Sequence, residues 1–153
     1  MATVAWVPAA ETDAPAYTSA PAAGTPTSSQ VVISATATDA TGPIDHYCSS
    51  YATGNTPSYA NLKAGEGTGV VSGPFSHLNV SSGAAATMTV TGLSPSTTYD
   101  IWCGAEDSVA TANTTAATEV NNVTTAAACR AAADKSVTSV VRETVRRIDC
   151  RAL

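Results

Sequence analysis

The sequence predicts an all-β fold, a sandwich of two sheets, on three observations. Short stretches alternate apolar and polar residues with a period of two, most clearly in Gln30–Thr38 and residues 99–105. Clusters of Gly, Pro, Asn, Asp and Ser punctuate them, so that seven or so short strands are separated by turn signals. Charged residues are only 12% and aromatics 5%, while Ala, Thr and Ser abound, which suits pleated surfaces and not a typical cytosolic enzyme. A chain of 153 residues suits one domain with an appendage and can bury a real core.

Near the N-terminus, residues 3–7 (TVAWV) alternate briefly, with Val4 and Trp6 on one side, and stop at Pro8. A Trp at this place either tucks onto the chain's own core or anchors in a partner's pocket. Residues 10–29 are rich in Pro, Ala and Ser and read as a linker leading into an irregular edge strand. Gln30–Thr38 sets Val31, Ile33, Ala35 and Ala37 against Val32, Ser34 and Thr36, a half-buried strand. After a turn at 39–43, residues 44–51 place Ile44, His46 and Cys48 on one face and Asp45, Tyr47 and Tyr51 on the other. Residues 58–64 form a short strand or a single helical turn. The Gly-rich stretch 64–73 lacks the Lys and the strand-to-helix setting of a phosphate loop, and reads as a flexible connection. Two further strands are expected at 74–80 and Ala85–Thr91, the second with Met88 and Val90 alternating against threonines.

The most informative stretch is LSPSTTYDIWCGAED, residues 93–107. Pro95 marks a corner, and beyond it Tyr99, Ile101, Cys103 and Ala105 share one face while Asp100, Trp102 and Gly104 share the other. A Tyr just past a Pro turn can bury its ring while its hydroxyl reaches back to the turn's backbone. The spacing of Leu93, Pro95, Thr97, Tyr99 and Ile101, ending in Ala105 and Asp107, resembles the fibronectin type III superfamily at its penultimate strand. Residues 118–125 resemble the last strand, and the resemblance covers residues 14–126. It implies an immunoglobulin-like (fibronectin type III) two-sheet sandwich with N- and C-terminal extensions, residues 1–13 and 127–153. Repeats of this kind occur in tandem in secreted and cell-surface proteins. The four cysteines allow three pairings, and the sequence by itself leaves them open. The family topology would make Cys48 and Cys103 neighbours in one sheet and thus disulfide partners, leaving Cys129 and Cys150 for each other or for a neighbouring molecule.

Charge divides the chain. Residues 1–126 carry nine acidic side chains and one basic one, Lys63, for a net of −8; residues 127–153 carry six basic and three acidic ones, for +3, and the two sum to −5. In the tail, Val137, Val140, Val141, Val145 and Ile148 fall on one helical stripe flanked by Arg142 and Arg146. Their β-branching favours strand instead, so helix and strand both stay open. An acidic body with a basic end attracts another copy head to tail, or folds the end onto itself.

Chemistry-bearing motifs are few. With no C-x-x-C pattern and only His46 and His77 available, disulfides are favoured over a zinc site. His46 would serve as a general base only beside a nucleophile and an orienting carboxylate, and its strand setting with Asp45 supplies neither. Glu106 and Asp107 could join Asp39 or Asp45 around calcium, but the dense ligand loop that calcium needs is missing. No cofactor is expected. The acidic body disfavours nucleic acid, while the basic tail suits an anionic polysaccharide or membrane surface. Three N-x-[ST] acceptors, at Asn79, Asn113 and Asn122, point to a secreted glycoprotein, and the Ser/Thr-rich stretches permit O-linked sugars. A sugar on Asn122 would also shield an edge strand.

No apolar run approaches the roughly 20 residues that a membrane-spanning helix needs. The first residues lack a basic start, so a removed signal or a longer precursor is expected. The function expected is a non-enzymatic extracellular structural glycoprotein, a subunit of a self-assembling filament or surface layer whose partners are other copies of itself. Trp6, Val137, Val141, Val145, Ile148, Arg142 and Arg146 are its candidate self-association residues. Two alternatives are an adhesion or receptor-type binding module and an accessory module of a secreted polysaccharide-degrading enzyme.

Overall fold

The computed structural model describes residues 12–40, 42–108 and 112–128. The elements run β1 (Ala16–Ala23), β2 (Gln30–Thr38), β3 (Ile44–Ala52), α1 (Tyr59–Ala64), β4 (Val70–Val80), β5 (Ala85–Thr91), β6 (Thr98–Asp107) and β7 (Thr118–Thr124). They form two antiparallel sheets packed as a sandwich, one with strand order β1-β2-β5 and one with order β4-β3-β6-β7.

Period-two alternation builds the interior. Val31, Ile33, Ala35 and Ala37 of β2 and Ala86, Met88 and Val90 of β5 are buried, while most of the residues between them face solvent. The register sets Ile33 opposite Met88 and Val31 opposite Val90, so one sheet offers a continuous apolar face. Tyr99, Ile101 and Cys103 of β6, Cys48 of β3 and Val123 of β7 complete that cluster from the other sheet. Burying each large aliphatic side chain there contributes about 1.5–3 kcal/mol.

The corner before β6 is closed as its sequence suggests. The Tyr99 ring is buried and its hydroxyl accepts the backbone N–H of Ser94 at 2.8 Å. Cys48 and Cys103 lie directly opposite in the β3–β6 ladder, with Cα atoms 4.1 Å apart, and are joined as a disulfide. A disulfide between neighbouring strands belongs to oxidising chemistry.

Residues 58–64 take the helical alternative. The Ser58 hydroxyl accepts the N–H of Asn61 at 3.2 Å as an N-cap, and Gly65 ends the helix at φ 68°, a left-handed conformation suited to glycine. This helix lies on the outer face of the four-stranded sheet, where Leu62 and Tyr59 meet Trp102 and Tyr51. Gly104 makes the contact possible, because a Cβ there would stand 2.5 Å from the Tyr59 ring. The stretch after α1 differs from the flexible connection that its glycines suggest. β4 begins at Val70, ahead of Pro74, and passes through a cis Gly73–Pro74 bond. The turn is pinned where Ala52 N–H donates to Gly69 O at 2.7 Å and the Tyr51 hydroxyl to Glu66 O at 3.1 Å.

Candidate functional site

Three places on this frame concentrate polar chemistry: one end of the interior, the outer face of β6, and the side where β1 and β7 meet.

At the interior end, His46 is 1% exposed and lies beside the Tyr17 ring, centroids 6.1 Å apart, close to Ala37, Ile44 and Ala105. Neither ring nitrogen has a hydrogen-bond partner among the described residues. Burial pulls the imidazole below its ordinary range, His77 adds to that, and Asp45 opposes it. His77, opposite it on β4, accepts the Thr87 N–H at its Nδ1, 3.1 Å away. Among the described residues His46 packs against the Tyr17 ring as a buried core residue.

On the outer face, the Glu106 carboxylate pairs with the Lys63 ammonium and accepts the Tyr47 hydroxyl at 3.2 Å. Lys63 also lies over the Tyr47 ring, 5.3 Å from its centroid. Burial and the Glu106 charge push the Tyr47 hydroxyl up to about 12. The remaining carboxylates go elsewhere. Asp107 accepts the Asn113 backbone N–H and side-chain amide, each at 2.9 Å, and Asp45 accepts the Asn79 N–H at 2.7 Å. Among the described residues no group of three or more His, Cys, Asp or Glu gathers in metal-binding geometry.

The three glycan acceptors differ in setting. Asn79 and Asn122 are exposed with φ of 57° and 54°, a left-handed backbone that itself favours asparagine. Asn113 is half-buried, its amide engaged by Asp107. Trp6, Val137, Val141, Arg142, Val145, Arg146 and Ile148 lie outside the described residues, as do Cys129 and Cys150.

The third place carries no motif. β1 and β7 are edge strands of opposite sheets, and between them runs an open groove of about 570 Å³. Pro21, Ala23 and Pro26 line one wall, and Glu119, Val120 and Val123 the other. At one end Ala126 N–H donates to Thr27 O at 3.0 Å and ties the two sides together. Glu119 lies across from Trp102 in the β6–β7 ladder, which brings it beside Asp100. Burial and the Asp100 carboxylate hold Glu119 above the usual carboxylate range. Asp100 is buried and accepts the N–H groups of Gly54 at 2.8 Å and Asn122 at 3.3 Å. The pair has no neighbouring cation in the described chain, whose single basic side chain, Lys63, serves Glu106. Sequence reading passed over this pair because its members are 19 positions apart; the available signal was the acidic excess itself.

Neither family models, nor curated proteins, nor solved structures give a match to the chain.

Proposed function

We propose that this chain is a non-enzymatic, extracellular structural glycoprotein: a fibronectin type III-like sandwich whose terminal extensions bind neighbouring copies and build a filament or surface layer. The 3 + 4 strand order and the Tyr99–Ser94 corner support the family reading. The disulfide supports an oxidising destination.

The observation that carries the self-association reading is the charge division, −8 over residues 1–126 against +3 over residues 127–153. Unlike charges at two places on identical subunits favour a heterologous contact, and such contacts grow into open polymers unless the rotation closes a ring. The tail adds Val137, Val141, Val145 and Ile148, an apolar stripe that gains by burial. Deleting residues 127–153 therefore leaves a folded domain that no longer polymerises, as read by circular dichroism and light scattering. Particles of unchanged length from the shortened chain would refute the role of the tail.

A further inference from the structure

The β1–β7 groove combines two properties that the rest of the described surface does not bring together. Its walls are edge strands, each hydrogen-bonded to its own sheet on one side only, and such edges accept an added chain. Its rim holds the Glu119 carboxylate, which lies beside the buried Asp100 and has no cation in the described chain. Pro21, Ala23, Pro26, Val120 and Val123 give it a shallow, small-residue lining. A segment that fits has small β-branched side chains to enter the groove and basic ones for its rim. Residues 129–153 have both, with Val137, Val141, Val145 and Ile148 interleaved with Arg142, Arg146 and Arg147.

We infer that the β1–β7 groove is the seat for residues 129–153 of a second copy, whose arginines meet the Glu119 carboxylate at its rim; this rests on the self-association proposed above. A donor from another copy is favoured over the chain's own tail by how β7 ends. Thr125 and Ala126 are fixed by backbone bonds to Thr97, Ser96 and Thr27 at the closed end of the groove. To enter its own groove the chain would have to reverse there, and residues 125–133 contain no Gly, Pro, Asn, Asp or Ser to turn it. Asn122 stands on the groove wall, so an N-glycan on it and a docked tail exclude each other.

The test uses full-length chains made without N-glycans, in low salt, with self-association followed by sedimentation velocity and folding by circular dichroism. Glu119→Lys in the groove, and Arg142→Glu with Arg146→Glu in the tail, each weaken self-association by about tenfold or more without unfolding the chain. Mixing the two variants restores association, because each groove then meets a tail of opposite charge. A Glu119→Lys chain that self-associates as strongly as the wild-type chain overturns this seat and leaves the self-association reading standing. Loss in both variants without rescue on mixing overturns the exchange between copies. A wild-type chain that stays monomeric at high concentration overturns the underlying reading itself.

Discussion

The centre of the four-stranded sheet and the β1–β7 side are built on opposite plans. β6 is flanked by strands on both edges, is buried on both faces along nearly its whole length, and is tied to β3 by the Cys48–Cys103 bond. Its inner face meets Ile33, Met88 and Val90, its outer face is covered by α1, and its one outward carboxylate of the second half, Glu106, has Lys63. The β1–β7 side has two unpaired edges, a bulged β1 ladder and a carboxylate, Glu119, without a cation in the described chain. The centre has strands on both edges and a cation for Glu106, whereas the side leaves two strand edges open and Glu119 without a cation in the described chain. In the proposed assembly, stability and self-association are thereby separated in space, and substitutions can tell them apart.

The largest stability loss is expected at the inner face. Ile101→Ala, at a fully buried position, costs roughly 2–5 kcal/mol, measured by urea unfolding. A loss under about 0.5 kcal/mol, the size of a surface change, would mean the core is not where it is drawn. Replacing Cys48 and Cys103 together by alanine costs about 2–4 kcal/mol, chiefly by freeing the unfolded chain. An unchanged melting temperature would show that the bond does not form.

The outer face should respond locally. Gly104→Ala brings a Cβ to 2.5 Å from Tyr59, and roughly 1–3 kcal/mol is lost as α1 is displaced. Hydrogen exchange should then quicken at residues 59–64 well before it does in β6 and β2. Uniform loss of protection would show that α1 and the sandwich form one cooperative unit.

The smallest effect concerns pH. Burial keeps His46 neutral, so its folded pKa lies below that of the unfolded chain, and the unfolded chain takes up the proton first. The stability from this residue is complete above about pH 6.5 and declines below it by up to about 1.4 kcal/mol per pH unit, until the folded pKa is reached. His46→Phe removes that decline between pH 6.5 and 5, as read from urea midpoints. An identical decline in the variant would assign it to other groups.

Strands whose faces differ in polarity were legible in the sequence. β2 and β5 alternate almost without fault, and the Pro95–Tyr99 spacing located the corner whose hydroxyl bond the structure contains. What escaped was set by chain reversal and register. Six residues of α1 are too few to display a helical period, so its cover over Trp102 and Gly104 could not be foreseen. The start of β4 was hidden by glycines at 65, 67, 69 and 73, which read as loop and instead allow close packing against Asn61, Asn55 and Ser49. Glu119 and Asp100 meet only because β6 and β7 pair with Trp102 opposite Glu119, and no local pattern encodes that register.

The most direct measurement is electron microscopy of the purified full-length chain beside the same chain lacking residues 127–153. The account predicts fibres or sheets of regular repeat from the full chain and dispersed single particles from the shortened one. Dispersed single particles from both, at concentrations where both are folded, would contradict it.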